Sequence, residues 1–314
     1  MQEDCQGCSW KEWDVIKHFF KEPNNCLAFL KAHGIIPRNV LCPKCGADCK
    51  YYADNNIWRC PKIHKIPKKG KKRPCGYSVS AFNGTLLSGS RMKPWQIVTF
   101  VNCFISHKAK GIQNTVMTNL GITSTTSVTW SSLCSKVLIH WANKTLGPIG
   151  GEGVIVEIDR SHFTKRKVGV WIFGGIERKS KKVFLLALSC KADETTILGL
   201  IEKWIQPGSI IISNEQAAYS KICQLPHRYS HFTVNRNVNI VSPGITAPGE
   251  EKIHINTITR LWGTVKQMCK RPGNVENHVE QYLARLKFTH HVPKEQRFHT
   301  FFKMAADLHP HVSR

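Results

Sequence analysis

Hydrophobic positions are densest in the second half of the chain, where their spacing changes several times. GVIVEIDRSHF, from Gly153, reads as a short buried strand ending in the acid Asp159. VGVWIFGGIER and KKVFLLALS read as two longer strands separated by a turn over 178–181. Helical spacing over 194–205 leads through Pro207 and Gly208 to the strand SIIIS. A further strand lies around 231–235, and helices are expected over about 257–270 and 275–289. Three strands able to pair antiparallel, then a helix and another strand, is the order of a ribonuclease H-like α/β fold.

The first half is patterned differently. Trp10, Trp13, Ile16, Phe19 and Phe20 make one apolar helical face, and apolar residues recur at helical spacing over 95–104. GITSTTSVTWSSLCSKVLIHW reads as a turn at Gly121 and then a helix, with Thr123 and Ser124 as N-cap candidates and Val128, Leu133, Val137 and Leu138 inward. In a helix-turn-helix the early polar residues of the second helix meet base edges and phosphates. That nominates Ser124, Thr125, Thr126 and Thr129 as DNA contacts, although plain helical bundles share the pattern. By composition the chain divides into a helical lead-in (1–40), a Cys/Lys/Pro-rich segment (41–83), a helical module (92–146), an α/β domain (150–292) and a C-terminal tail (293–314).

The chain has thirteen cysteines, and five of them, Cys42, Cys45, Cys49, Cys60 and Cys75, give the second segment its chemistry. The number is odd and no secretory signal precedes them, so metal ligation with free thiols fits better than a disulfide framework. Cys42-Pro43 is echoed by Cys60-Pro61, and Cys45-Gly46 by Cys75-Gly76. Such knuckles turn tightly, with glycine at positive φ after the second cysteine, and aim two thiolates at one point. Cys42, Cys45, Cys60 and Cys75 would then hold a structural Zn2+ and form a zinc ribbon. His64 competes with Cys75 for the fourth position, and Cys5 and Cys8 stay unassigned. The basic stretch between the last two cysteines places Lys68, Lys69, Lys71, Lys72 and Arg73 on a finger suited to phosphates. KKGKKR also has the composition of a nuclear localisation signal.

Charge enlarges that reading. The chain has 45 Lys and Arg against 21 Asp and Glu, a formal charge of +24, and no carboxylate lies between Asp54 and Glu152. A surface so cationic repels itself unless a polyanion screens it, and nucleic acid does so with release of counterions. No run approaches the roughly 18 apolar residues needed to cross a bilayer, so no membrane partner is expected.

VEIDRSHF, VWIFGGIER, PGSIIISNEQAAY, HFTVNRN and NTITRLWGTVK occur in this order, after a cysteine segment ending in SVSAFNGTLLSGSRMKPWQIV. Together they resemble the ISXO2-like transposases, the group that includes the Merlin elements, over about residues 40–290. The resemblance implies a ribonuclease H-like core on which three carboxylates hold divalent metal for DNA cleavage and joining, as hard oxygen ligands suit two Mg2+ ions. It also implies DNA as partner, and a homodimer.

Carried over residue by residue, the three acidic positions fall on Asp159, Asn214 and Thr259. Only the first is an acid. One formal charge stands where the family has three, so Mg2+ is not expected to bind productively. Glu157, Glu215, and Glu250 and Glu251 in a Gly/Pro-flanked loop, are the substitutes to consider. Trp262 and Lys266 match the motif on the following helix, Trp262 as core and Lys266 as a phosphate contact. The expectation is a nuclear, transposase-derived DNA-binding protein without strand-transfer activity. An active transposase using Asp159 with displaced ligands, and a non-enzymatic chromatin- or RNA-associated scaffold, are the alternatives.

Overall fold

The computed structural model describes residues 17–19, 23–65, 72–106, 118–165, 168–214, 217–234, 241–247, 251–269 and 275–310. In chain order its elements are helix α1 (Pro23–Ala32), strands β1 (Lys50–Tyr52), β2 (Ile57–Arg59), β3 (Ile63–Lys65), β4 (Lys72–Pro74) and β5 (Ser78–Ser80), then helices α2 (Pro94–Ser106) and α3 (Ser124–Thr145). Strands β6 (Ile149–Gly150), β7 (Ile155–Lys165), β8 (Val168–Glu177) and β9 (Val183–Leu188) follow, then helix α4 (Glu194–Trp204) and strands β10 (Ile205–Gln206), β11 (Ile210–Asn214), β12 (Ser230–Val234), β13 (Val241–Ala247) and β14 (Glu251–His254). Helices α5 (Asn256–Cys269), α6 (Val275–His291) and α7 (Arg297–Leu308) end the chain. None of the described helices is long and apolar enough to cross a membrane. Two compact units separate, Met1–His140 with Lys294–Arg314, and Trp141–Pro293.

The first unit joins helices to a small ribbon. Helix α2 buries an almost continuous run, Ile97 through Ile105, and α1 packs beside it. Residues 297–308, which composition leaves in a tail, form α7. Its Phe298, Phe301, Phe302 and Ala305 are buried, with Phe298 and Phe302 each 5.1 Å from the ring of Phe29. The spacing of these four residues is one helical face, and burying aromatic rings supplies the stabilisation. Phe19 is buried and lies 5.2 Å from the same ring; Trp10, Trp13, Ile16 and Phe20 lie outside the described residues. The ribbon is a three-stranded antiparallel sheet, β1-β2-β5, with β3 and β4 forming a separate hairpin.

The second unit is a five-stranded mixed sheet of order β12-β11-β7-β8-β9. β7, β8 and β9 are antiparallel in succession, while β11 runs parallel to β7 and β12 parallel to β11. That topology is the ribonuclease H-like one expected from the sequence. Cross-strand register decides which side chains share a face: Ile158 stands opposite Gly175, and Asp159 opposite Gly174. On one face Val156, Ile158, Phe173 and Phe184 form a buried cluster with Ile197 and Ile201 of α4, each such side chain contributing about 1.5–3 kcal/mol. The alternate residues, Glu157 and Asp159, face α5, which packs on β7 and β8.

Two sequence expectations change here. Strand β7 does not end at Asp159; it continues to Lys165 because residues 160–165 pair with 168–173 in a long hairpin. Between β12 and α5, a stretch whose composition suggests a Gly/Pro-flanked loop contains the antiparallel pair β13 and β14.

Candidate functional site

Asp159 sits in mid-strand with only 1% of its surface exposed. Parallel pairing of β7 with β11 brings Asn214, the last residue of β11, alongside it. The Asn214 amide Nδ2 donates to Asp159 Oδ1 at 3.1 Å, and the Trp262 indole Nε1 of α5 donates to Oδ2 at 2.8 Å. Room for the indole comes from Gly174, directly opposite Asp159. A Cβ there would stand 3.1 Å from the Trp262 ring and 2.7 Å from Leu185. Thr259 precedes Trp262 by one helical turn and is exposed, and its hydroxyl donates to the Ile255 carbonyl at 2.8 Å. The structure therefore joins Asp159 and Asn214 directly, adds Trp262, and leaves the Thr259 hydroxyl bonded within its own helix.

A pair of divalent cations needs converging oxygen acceptors. Here N–H donors meet both oxygens of the carboxylate, and the neutral amide replaces an acid. Turning the Asn214 amide over would aim its oxygen at the carboxylate, so the donor orientation follows from the charge next to it. Among the described residues, the buried Asn214 Oδ1 finds no hydrogen-bond partner. These residues do not fit the two-metal arrangement that the resemblance implies.

Glu157 is no replacement. It is fully buried, its Oε1 lies 3.0 Å from Arg178 Nε, and its Oε2 accepts the Ile258 backbone N–H at 3.0 Å. Arg178 also donates to the His254 carbonyl at 2.9 Å. The carboxylate thus ties the first turn of α5 to the sheet, where the helix dipole favours a negative charge. Glu215 and Glu250 lie outside the described residues, and Glu251 pairs with Ala247 in the β13–β14 ladder. Lys266 is exposed on α5 about one turn beyond Trp262.

In the first unit the sulfur atoms of Cys42, Cys45, Cys60 and Cys75 all lie within 4.8 Å of one another. His64 is outside this group, on the β3–β4 hairpin opposite Arg73. Gly46 and Gly76 follow the second cysteine of each knuckle at φ +70° and +69°, a conformation that side chains bearing a Cβ disfavour. Burial opposes ionisation of Cys42, but backbone N–H groups of Lys44 and Cys45 and the neighbouring thiols bring its pKa down to about 7. Soft ligands gathered in this way could hold a metal ion such as zinc. Cys49 is buried nearby but is not one of the four, while Cys5 and Cys8 lie outside the described residues. Lys72 and Arg73 are exposed on the hairpin arm; Lys68, Lys69 and Lys71 lie outside the described residues.

Helix α3 starts after Thr123, whose hydroxyl accepts the Thr126 N–H at 3.2 Å as an N-cap. Ser124, Thr125 and Thr129 are exposed and Thr126 is half-buried. Thr125, Thr126 and Thr129 line a cleft of about 480 Å³ with Ser88, Ser90 and Arg91. Val128, expected inward, is 57% exposed, and Leu133 is only half-buried. Ser127, Trp130, Cys134, Ser135, Val137, Leu138, Trp141 and Ala142 are the buried residues. The Trp130 indole, with its larger apolar surface, is buried where Val128 is not, while Val137 and Leu138 stay inward as expected.

Sequence reasoning misses two features. Its pattern places Trp262 in the core, but the indole is also the donor that holds Asp159. The Glu157–Arg178 pair joins residues that a turn and a strand make look unrelated; their opposite charges on adjacent strands are the available signal.

Residues 148–290 match the family model of the ISXO2-like transposase domain. Comparison with curated proteins gives no match. Among solved structures, the chain is similar to the HTLV-2 integrase catalytic core domain in complex with magnesium (dimeric form) at 13% identity. That match covers 44% of this chain and 87% of that one, with a TM-score of 0.28. It is also similar to the simian T-cell lymphotropic virus intasome in complex with the PP2A regulatory subunit B56 gamma, at 14% identity. There the match covers 60% of this chain and 70% of that chain, with a TM-score of 0.31.

Proposed function

We propose that this chain, whose residues 148–290 match the model of the ISXO2-like transposase domain, is a transposase-derived DNA-binding protein that does not carry out strand transfer. The observation that carries the second half of the reading is the Asp159 carboxylate held by the Asn214 amide and the Trp262 indole. Both of its oxygens are engaged by donors, so its remaining role is to hold β11 and α5 to β7. The alternative of displaced metal ligands loses its nearest candidate because Glu157 is engaged by Arg178 and the start of α5.

DNA is the partner that the first unit's chemistry suits. In this reading Cys42, Cys45, Cys60 and Cys75 hold a structural Zn2+, which would fix the ribbon and present the β3–β4 hairpin. Lys68, Lys69, Lys71, Lys72 and Arg73 contact phosphates, and Ser124, Thr125, Thr126 and Thr129 read DNA from the start of α3. Lys266 supplies a phosphate contact from the second unit. A nuclear location follows from the same basic stretch, and a homodimer is the assembly the family resemblance suggests.

Salt dependence tests the binding half. The full chain should bind duplex DNA with a steep loss of affinity as salt rises. Changing Lys68, Lys69, Lys71, Lys72 and Arg73 together to Ala should flatten that slope by roughly 0.9 for each phosphate that is no longer neutralised. An unchanged slope would show that the hairpin is only a solvated loop or an import signal.

A further inference from the structure

The face of the second unit's sheet opposite Asp159 carries a group of side chains that neither the acidic position nor the core employs. Along β7 the residues alternating with Asp159 are Ile158, Arg160 and His162. The first enters the buried cluster under α4, and the next two continue the same face along the strand. His162 stands opposite Trp171 of β8, and the two rings stack with centroids 4.5 Å apart and planes 21° from parallel. The Arg160 guanidinium carbon lies 5.3 Å from the Trp171 ring, and the Lys191 ammonium lies 6.0 Å from it. Arg160 is buried and donates to the Ala192 carbonyl, which fixes the guanidinium in place. His162 and Lys191 are exposed. The nearest acids in sequence are turned elsewhere, Asp193 to the Thr196 N–H at 2.8 Å and Glu194 to Lys221 at 2.7 Å.

A tryptophan with two cations close to its ring and an imidazole stacked upon it is a preassembled platform. One face of the His162 ring is covered by Trp171, so the accessible end of the stack is a flat π surface with a lysine ammonium near its base. Single-stranded nucleic acid has the complementary parts, an unpaired base to continue the stack and a phosphate for the ammonium. Bases in duplex DNA are already stacked on one another and cannot use such a surface.

We propose that this platform binds an unpaired stretch of DNA, one base stacking on His162 and an adjacent phosphate pairing with Lys191. The proposal rests on the DNA-binding reading above and adds a second, single-strand-selective surface on the transposase-like domain.

The test measures binding of the full-length, zinc-loaded chain to a fluorescent oligothymidylate and to a duplex, at one fixed salt concentration. His162→Ala combined with Lys191→Glu should weaken oligothymidylate binding by roughly tenfold or more. Duplex binding should change by no more than about twofold, and His162→Tyr alone should retain the single-strand affinity because it keeps a ring face. Both altered residues are exposed, and a thermal-unfolding profile matching that of the native chain checks the fold. Unchanged single-strand binding in the double variant, equal losses for both ligands, or failure of His162→Tyr to retain binding would each overturn the platform. Absence of duplex binding by the native chain would instead overturn the broader DNA-binding reading.

Discussion

The four-cysteine cluster and the Asp159 position are both places where the fold brings together residues from separate segments, and they differ in what meets there. In the ribbon, four potential ligands converge, with backbone N–H groups favouring the ionised sulfur of Cys42. In the sheet residues from separate segments also meet, but the groups that meet the one acid are donors, the Asn214 amide and the Trp262 indole, while the Thr259 hydroxyl bonds the Ile255 carbonyl instead. Geometry and capability are therefore separate properties. Side chains can be held in contact by a scaffold whether they suit a cation or only satisfy a buried carboxylate.

The comparison is most easily broken at the ribbon, where the largest effect is expected. The chain should carry one zinc ion with sulfur neighbours at about 2.3 Å by X-ray absorption. Cys60→Ala should release it and unfold the ribbon, since binding free energies near 10 kcal/mol are typical of structural zinc. Retention of zinc by Cys75→Ala, with its loss in His64→Ala, would contradict the all-cysteine cluster.

In the second unit Glu157→Ala should lower stability by about 3–5 kcal/mol, because it removes the carboxylate from the half-buried Arg178 and frees the start of α5. Asp159→Ala should cost about 2–4 kcal/mol, because the Asn214 and Trp262 donors would be buried unsatisfied. From sequence alone Asp159 would pair with a lysine or arginine, or cap a strand end, and be dispensable; its burial and its two donors revise that. Urea denaturation of both variants checks the order. An Asp159→Ala protein as stable as the native chain would show that the carboxylate is not the fixture described here.

A smaller effect is expected from acid. Burial lowers the pKa of His231 to about 4, and burial, with His299 and Lys303 nearby, brings His33 to about 4 as well. The unfolded chain takes up these protons near pH 6.5, whereas the folded chain refuses them until about pH 4. Stability is therefore intact above pH 6.5 and falls as the pH drops through that window, by up to roughly 3 kcal/mol for each histidine. His33→Gln with His231→Gln should flatten the decline between pH 6.5 and 4; an unaltered slope would place the acid sensitivity elsewhere.

Local patterns make much of this legible. The apolar runs at β7, β8, β9 and β11 are visible in sequence because both faces of the sheet are covered. The paired Cys-Pro and Cys-Gly steps mark the thiols that converge. The length of β7 is not visible, because a hairpin partner rather than its own polarity extends it past Asp159. The exposure of Val128 escapes a pattern that weighs Val128 and Trp130 as equal hydrophobes. Helix α7 has a readable signal in Phe298, Phe301, Phe302 and Ala305. The bonds that define the acidic position join β7 to Asn214 and Trp262, far away in sequence, and only the folded chain shows which atoms donate.

The central claim is that donors around Asp159 exclude divalent cations. Titration of the zinc-loaded chain with Mn2+, followed by electron paramagnetic resonance, tests it directly, with Asp159→Ala as the control and Asn214→Asp combined with Thr259→Glu as the variant that restores two charges. The native chain should show no saturable Mn2+ site that depends on Asp159. Saturable Mn2+ binding by the native chain that disappears in Asp159→Ala would contradict it and restore the active-transposase reading.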